Sequence, residues 1–249
     1  MTDAQLLRYS RHVLLPQVGI EGQERISSAR VLVVGAGGLG CPVALYLGAS
    51  GVGHLTIADG DVVDLTNLQR QIGHADNRIG QNKARSLAQS VRALNPEIEV
   101  VAIESRLHDA ALMEAVARVD IVVDASDNFA TRHAVNRACV KHKKPLVSGA
   151  GVRFDGQIAV FDLRDAAAPC YHCLFPEHGD NEDMRCAVMG VFAPLVGIIG
   201  AMQAAEALKL IAGTGTSLSG RLLLLDALAM EWRTVRLKRD AACAVCAKR

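Results

Sequence analysis

The amino-acid sequence predicts an α/β protein built on a doubly wound, mostly parallel sheet that antiparallel strands extend. Two observations predict the parallel part. Short apolar, β-branched runs alternate with helical patterns over residues 30–150, and a glycine-rich turn follows the first of these runs. After residue 151 the strand patterns no longer alternate with helices one by one, which predicts the antiparallel extension.

The elements can be assigned in chain order. Residues 1–29 predict a helical arm, because their apolar side chains fall on neighbouring helical turns. Parallel strands are predicted at 30–34, 54–58, 99–103, 120–124 and 145–149, with helices at 40–50, 82–94, 109–118 and 129–141. Later strands are predicted at 157–161, 221–225 and 232–237, and a further helix at about 194–210.

Composition and charge exclude several classes of protein. The 27 Lys and Arg residues nearly balance 26 Asp and Glu, and aromatic residues make up 4% of the 249 residues. A chain without a broad basic field or base-stacking platforms is not expected to bind nucleic acid. Asp3, Arg8 and Arg11 interrupt the leucines of the N-terminus, so it lacks the apolar core of a secretory signal. We therefore expect a cytoplasmic protein.

One stretch has the length and composition of a membrane span. Residues 186–205 contain no charged side chain over twenty positions. The stretch is interrupted by Pro194 and several glycines, and it runs directly into Glu206 and Lys209. We therefore predict a buried core helix that begins near Pro194, and no membrane partner.

The glycine-rich turn predicts a nucleotide site. Gly35, Gly37, Gly38 and Gly40 form a G-x-G-x-x-G pattern between a strand and a helix, where backbone N–H groups bind phosphate. Asp59 ends the next strand, 19 residues after Gly40, where a carboxylate accepts hydrogen bonds from ribose hydroxyls. The alternative is a turn that serves packing alone.

Charged residues beyond Asp59 bear on which nucleotide would bind. Arg70 and Lys83 are placed to supply cations to a triphosphate, although either alone is more often a solvated surface charge. Asp127 and Asn128 follow a strand end, where Asp127 suits Mg²⁺ and either residue would also suit the cap of the next helix. These residues favour ATP over NAD.

The cysteine pattern predicts a metal centre. Cys170 and Cys173 form one C-x-x-C pair, and Cys243 and Cys246 form a second pair after 69 intervening residues. Two such pairs are typical of a structural Zn²⁺ site with four thiolates, whereas a redox role needs only one pair. Seven cysteines, an odd number, do not suit a secreted disulfide framework.

The remaining cysteines have other expected roles. Cys41 and Cys139 fall within predicted helices, where they are expected to be small core residues. Cys186 follows Arg185 in a predicted loop, and it remains open whether this thiol is reactive or inert. His172, between two of the predicted ligands, is expected not to bind the metal.

Together these motifs resemble the ThiF/MoeB/HesA family of adenylating enzymes, which are similar to ubiquitin-activating enzymes. The resemblance covers nearly the whole chain and rests on Arg8-Tyr-Ser-Arg11, Gly35 to Gly40, Asn67-Leu-Gln-Arg-Gln71, Lys83, Asp127-Asn128 and both C-x-x-C pairs. It implies a Rossmann-like fold, usually as a homodimer. The implied reaction uses Mg²⁺-ATP to adenylate the C-terminal Gly-Gly carboxylate of a ubiquitin-like sulfur-carrier protein, with release of pyrophosphate.

The resemblance also implies roles for single residues. Asp59 resembles the ribose ligand, Asn67, Arg70 and Lys83 resemble phosphate-binding groups, and Asp127 resembles the Mg²⁺-linked carboxylate. Arg11 is similar to an arginine that enters the partner subunit's site. Cys186 lies in the implied crossover loop, at about 174–190, where some relatives bond covalently to the carrier.

The implied organisation is one adenylating domain over 1–249. It comprises the arm (1–29), the nucleotide-binding half (30–150), and a half that binds the carrier and zinc (151–249). No sulfur-transfer domain follows Cys246 in this sequence, so sulfur is expected from a donor protein in trans. The full-length resemblance favours the branch of molybdenum cofactor synthesis, and the thiamine-pathway carrier is the alternative.

Two alternative functions, each from another class of protein, compete with adenylation. An NAD-dependent oxidoreductase explains the glycines and Asp59 but leaves Arg70, Lys83 and Asp127 without a role. A non-catalytic scaffold that binds zinc and nucleotide is the second alternative, and the retained charged groups argue against it.

Overall fold

One mixed sheet of eight strands forms the centre of the chain. The computed structural model describes residues 1–177 and 189–247. The strands are β1 Arg30–Val34, β2 His54–Ala58, β3 Glu99–Ile103, β4 Ile121–Asp124, β5 Leu146–Val152, β6 Asp155–Phe161, β7 Arg221–Asp226 and β8 Glu231–Arg236. They lie in the order β3-β2-β1-β4-β5-β6-β7-β8.

The type of pairing changes once along this order. The pairs among β3, β2, β1, β4 and β5 are parallel, and those from β5 to β8 are antiparallel. The chain order reverses between β1 and β4, and in open α/β sheets ligands bind at the carboxyl ends of the strands at such a point. The predicted fold class, with its antiparallel extension, is confirmed.

The helices cover both faces of this sheet. They are α1 Asp3–Arg8, α2 Ser10–Val13, α3 Gly19–Ser28, α4 Gly40–Ala49, α5 Lys83–Leu94, α6 Asp109–Ala117, α7 Phe129–His142, α8 Tyr171–Leu174 and α9 Ala193–Ala212. The short α8 and two 3₁₀ turns, Leu65–Asn67 and Asp76–Arg78, were not predicted, since segments of three or four residues carry no periodic pattern.

Alternate residues of β1 belong to two separate apolar cores. Val31 and Val33 pack with residues of α4, α5 and α9 on one face of the sheet. Leu32 and Val34 pack on the other face with residues of α6, α7 and the cysteine-containing segments. All four side chains are almost fully buried, which explains why β1 reads as a continuous apolar run.

Strands β5 and β6 are longer than predicted. They form a hairpin that is paired from Leu146↔Phe161 to Val152↔Asp155. The strand pattern in the sequence ended early because glycines interrupt it. The structure explains why glycine is needed there, since a Cβ on Gly149 would lie 2.5 Å from the Gln203 side chain of α9. The glycines therefore let α9 approach the sheet closely.

The twenty-residue helix α9 matches the stretch for which a core helix was predicted. By length and composition alone it is long and apolar enough to cross a membrane, and half of its most apolar window is buried in the protein. It packs against α4, β5 and β6. Glu206, 6% exposed, forms an ion pair with Lys209 and accepts a hydrogen bond from the backbone N–H of Leu218 at 2.8 Å. These contacts are those of a core helix.

The aromatic side chain of Tyr9 is one anchor of the N-terminal arm. Tyr9 is 5% exposed, and its hydroxyl accepts a hydrogen bond of 2.8 Å from Asn95, which ends α5. Leu7 and Leu14 flank it in sequence but are 78% and 70% exposed. The arm is therefore fixed on one side and presents apolar side chains on the other.

Two glycines of α9 provide a test of this packing. A Cβ on Gly200 would lie 2.5 Å from the carbonyl oxygen of Leu39, whereas a Cβ on Gly197 would meet nothing within 4 Å. We expect Gly200→Ala to lower the free energy of unfolding by about 1–3 kcal/mol. Gly197→Ala, the matched control, is expected to raise it by about 0.5–1 kcal/mol. Urea denaturation measures both, and equal effects would contradict the packing described for α9.

Candidate active site

The glycine-rich turn is held in shape by the carboxylate of Asp59. Gly35 has a φ of +99°, which favours glycine, and its N–H donates to the carbonyl of Ala58. Asp59 accepts hydrogen bonds from the backbone N–H groups of Ala36 at 2.7 Å and Asp61 at 2.8 Å. Burial raises the pKa of the Asp59 carboxyl, while these donors and Lys83 act in the opposite direction.

Asn82 fixes the start of α5 against the end of β2. Its side-chain oxygen accepts from the backbone N–H of Arg85, which caps the helix, and its amide donates to the carbonyl of Asp59 at 2.9 Å. The next residue, Lys83, is only 9% exposed and lies 3.5 Å from the Asp61 carboxylate. The cap therefore places the Lys83 ammonium beside the predicted ribose ligand.

Asp61 and Arg106 are site residues that the sequence interpretation missed. Arg106 donates to the Asp61 carboxylate at 2.9 Å, so Asp61 lies between Arg106 and Lys83. Arg106 lowers the pKa of the Asp61 carboxyl, and Asp61 in turn raises the pKa of Arg106. A second carboxylate two residues after Asp59 was the available signal for Asp61. Arg106 lies after β3 and carries no motif.

The predicted phosphate-binding segment is only partly brought into the site. Arg70 and Gln71 line the same cavity as Lys83, whereas the residues that line it do not include Asn67. The Asn67 side chain donates instead to the hydroxyl of Thr66 at 3.4 Å. Gln71 is 5% exposed, and its side-chain oxygen has no hydrogen-bond partner among the described residues. Gln71 therefore offers a buried acceptor to a ligand.

The structure decides which of Asp127 and Asn128 caps the next helix. The side-chain oxygen of Asn128 accepts from the backbone N–H of Thr131 at 2.9 Å and so caps α7. Asp127 is exposed and lines the cavity. The loop before them is fixed by Arg132, which is 6% exposed and donates to the Ser126 carbonyl at 2.6 Å.

These groups share one elongated cavity of about 850 Å³ along the carboxyl ends of the parallel strands. One end contains the glycine turn, Asp59, Lys83 and Asp127. The cavity then continues over the antiparallel strands, where Gln157 and Arg233 line it. It is therefore a nucleotide-sized crevice with an open extension on the second half of the chain.

The four predicted metal ligands converge at one point. The Sγ atoms of Cys170, Cys173, Cys243 and Cys246 all lie within 4.8 Å of one another. The separations are 3.9 Å for Cys170–Cys173, 3.7 Å for Cys170–Cys243 and 3.5 Å for Cys173–Cys246. A disulfide would need about 2.05 Å, so no disulfide joins these sulfur atoms. Four thiolates about 2.3 Å from a tetrahedral Zn²⁺ lie about 3.8 Å apart, which this cluster matches.

The cysteine cluster is in contact with the wall of the cavity. Asn136, fully buried in α7, donates to Cys170 Sγ at 3.7 Å and accepts from the backbone N–H of Tyr171 at 2.9 Å. The Tyr171 side chain, 2% exposed, lines the cavity. The segment between the first two cysteines is therefore part of the site.

The remaining predicted residues lie elsewhere. Cys41 and Cys139 are fully buried in α4 and α7, as predicted, and burial raises the pKa of the Cys41 thiol to about 12. Arg11 is exposed in α2 and does not line the cavity of its own chain. Cys186, and with it most of the expected crossover loop, lies outside the described residues.

Comparison with known protein families agrees with this arrangement. The sequence model of the ThiF family matches residues 9–245, which is nearly the whole chain. This chain belongs to the ThiF family.

Curated relatives of this ThiF family member are adenylyltransferases and activating enzymes. It is 43% identical to molybdopterin-synthase adenylyltransferase of Escherichia coli, with 99% of this chain and 98% of the relative covered. It is 48% identical to the SAMP-activating enzyme E1 of Haloferax volcanii, with coverage of 97% and 89%. Adenylyltransferase and sulfurtransferase MOCS3 of Sus scrofa is 45% identical over this whole chain, which spans 55% of that protein.

Solved structures share the fold of the family. The Escherichia coli MccB structure with ATP superimposes with a TM-score of 0.83 at 24% identity, and covers 97% of this chain and 75% of that one. The structure of PaaA gives 0.82 at 21% identity, with coverage of 96% and 76%. At these identities the likeness establishes the architecture alone.

Proposed function

We propose that this chain is an ATP-dependent adenylyltransferase that activates the C-terminal carboxylate of a ubiquitin-like sulfur-carrier protein. The observation that carries the proposal is the elongated cavity. Its nucleotide end joins the glycine turn, Asp59, Arg70 and Lys83, and its extension leaves room for a peptide tail. Curated relatives that cover nearly all of this chain at 42–43% identity are molybdopterin-synthase adenylyltransferases.

The side chains at the nucleotide end have complementary roles. Gly35, Gly37 and Gly38 expose backbone to phosphate oxygens at the start of α4, which has no side-chain cap. Asp59 accepts from ribose hydroxyls. Lys83 and Arg70 neutralise the charge that develops on the departing pyrophosphate. Asn67 is proposed to join them as a phosphate ligand on the strength of the family motif.

Mg²⁺ fits beside Asp127. Its carboxylate is an oxygen ligand of the type that this ion prefers, and the helix cap is made by Asn128 instead. When bound, the ion would screen the charge of the ATP phosphates. Asn128 contributes by fixing the position of its neighbour Asp127.

The reaction needs no general base from the protein. A C-terminal carboxylate is already ionised at neutral pH, so its oxygen attacks the α-phosphorus directly. The bond between the α-phosphorus and the oxygen that bridges it to the β-phosphorus breaks, and pyrophosphate leaves. The work of the site is to position two anions and reduce their repulsion. This agrees with a cavity whose nucleotide end presents the cations Arg70, Lys83 and Arg106.

The carrier is proposed to end in Gly-Gly, as the resemblance to the family implies, and its tail would follow the cavity from the antiparallel strands to the α-phosphate. The molybdopterin-synthase small subunit is the carrier we favour, and the thiamine-pathway carrier is the alternative. The acyl adenylate would then accept sulfur from a donor protein in trans. Cys186, which lies outside the described residues, is proposed to bond covalently to the carrier during this step.

The cysteine cluster is proposed to bind one structural Zn²⁺. Its four thiolates close the coordination shell and leave no position for a substrate. Such a site joins the end of the chain to the segment that contains Tyr171. Reduced thiols also suit a cytoplasmic location, which we propose for this protein.

Two copies are proposed to form a homodimer that completes each site. Arg11 is exposed on the arm, beside the exposed leucines Leu7 and Leu14. An apolar surface of this kind suits a symmetric interface, and it would bring Arg11 to the partner's triphosphate.

The first test is carrier-dependent exchange of labelled pyrophosphate into ATP. We expect Arg70→Ala and Lys83→Ala each to reduce exchange by about a hundredfold or more with an unchanged fold. Arg118→Ala, which removes an exposed ion pair with Glu114, is the control and should retain full exchange. The molybdopterin and thiamine carriers are compared side by side. No exchange with either carrier would refute the function.

Mixed dimers test whether Arg11 acts across subunits. Arg11→Ala and Lys83→Ala are each expected to be inactive alone. Equal amounts, unfolded and refolded together, should recover about a quarter of wild-type exchange, since half of the dimers are mixed and each contains one complete site. If Arg11 acted within its own chain, the mixture would stay inactive.

Metal analysis tests the cysteine cluster. We expect about one zinc per wild-type chain, and Cys243→Ser should lose this zinc together with thermal stability. Cys139→Ala, in a core cysteine outside the cluster, should keep its zinc. If wild type stripped of metal melted at the same temperature as wild type purified with its metal, the assignment of a structural zinc site would be contradicted.

A further inference from the structure

The side chain of His74 connects two elements of the nucleotide site without lining the cavity itself. Its Nε2 lies 2.9 Å from the carbonyl oxygen of Ala36, in the glycine turn. Its Nδ1 lies 2.9 Å from the hydroxyl of Ser86, a fully buried residue of α5. The imidazole therefore bridges the turn and the helix that begins at Lys83.

The hydrogen-bonding partners determine the form of the imidazole. The Ala36 carbonyl can only accept, so Nε2 bears the proton, and Nδ1 then accepts from the Ser86 hydroxyl. Burial lowers the pKa of His74, which favours this neutral form. The thiol of Cys41 also approaches the Ala36 oxygen at 3.6 Å, as a weaker second donor.

The turn that contains His74 is itself fixed to α5. Arg78 donates to the carbonyl of Ser86 and to the hydroxyl of Ser90, each at 2.7 Å. The Ser90 hydroxyl donates to the carbonyl of Gly73 at 2.6 Å. His74 thus reaches the glycine turn from a rigid base.

His74 is hydrogen-bonded to the peptide unit between Ala36 and Gly37, in a flexible part of the glycine turn. Ala36 stands between Gly35 and Gly37, two residues without side chains to restrict the backbone. Its N–H is already bound by Asp59. In a trans peptide the C=O of one residue and the N–H of the next point in opposite directions. A hydrogen bond from His74 to the Ala36 carbonyl therefore directs the Gly37 N–H to the opposite side.

We propose that His74 is a positioning residue that orients the Gly37 N–H toward the nucleotide phosphates. Gly37 lines the cavity, and a Cβ there would meet only Gln71, at 3.6 Å, so its backbone is open to a ligand. Asp59 and His74 hold the two sides of Ala36, one through its N–H and the other through its C=O. The inference rests on the proposed use of ATP and adds a determinant of its affinity.

The test compares side chains of equal length. His74→Gln keeps a donor near the Nε2 position, whereas His74→Met fills the same space without a donor. We expect His74→Met to raise both the KM for ATP in pyrophosphate exchange and the Kd for a non-hydrolysable ATP analogue about tenfold. The KM for the carrier should stay unchanged, and His74→Gln should stay within about twofold of wild type.

His54→Met is the matched control, because it makes the same substitution at a histidine that pairs with Glu99 at the start of β2 and does not line the cavity, and it should leave the KM for ATP unchanged. If His74→Met does not fold, His74→Asn replaces it, because its amide reaches Ser86 but not Ala36. The proposal would be overturned if His74→Met, or His74→Asn in its place, bound the nucleotide as tightly as wild type. It would also be overturned if His74→Gln lost as much nucleotide affinity as that variant. A wild type without exchange would instead refute the proposed function, and the binding measurement would still test His74.

Discussion

The nucleotide end of the site depends on one partly buried residue, Asp59. Asp59 accepts from the backbone of Ala36 in the glycine turn and from the backbone of Asp61 in the next loop. Its own carbonyl accepts from Asn82, which sets the first turn of α5 and so the position of Lys83. Its carboxylate thus joins the glycine turn to the loop after β2, and its backbone carbonyl joins the end of β2 to α5. The same residue that is proposed to bind ribose thus also builds the pocket around it.

The opposite wall depends on the second half of the chain. Asn128, directly after Asp127, caps helix α7, and two turns into that helix Asn136 contacts both Cys170 and the backbone of Tyr171. Contacts to the cysteine cluster therefore reach the helix that begins two residues after the proposed magnesium ligand Asp127. The two halves of the chain are not a binding domain and an appendage, since one continuous sheet and one cavity cross between them.

The sequence predicted what depends on local pattern. Apolar β-branched runs defined the parallel strands to within three residues, and paired spacing identified the cysteine cluster. The bridging residues were missed because they carry no pattern of their own: Arg106 and His74 gain their roles only when distant segments meet. The family motif suggested Asn67 as a phosphate ligand, but in this structure it does not line the cavity, and its role stays a prediction. The roles of Arg11 and Cys186 also stay untested, because one needs a second copy and the other lies outside the described residues.

The sequence spacing of the cysteine cluster has a consequence for folding kinetics. The two pairs are separated by 69 residues, and closing a loop of that length costs about 4 kcal/mol of chain entropy. Strands β7 and β8 lie between the pairs, and their antiparallel pairing with each other and with β6, which precedes the first pair, brings the second pair to the first. We therefore expect the cluster to assemble after the sheet. Contacts that form late slow unfolding and leave the folding rate nearly unchanged, so the cluster would act as a kinetic lock on an already folded chain.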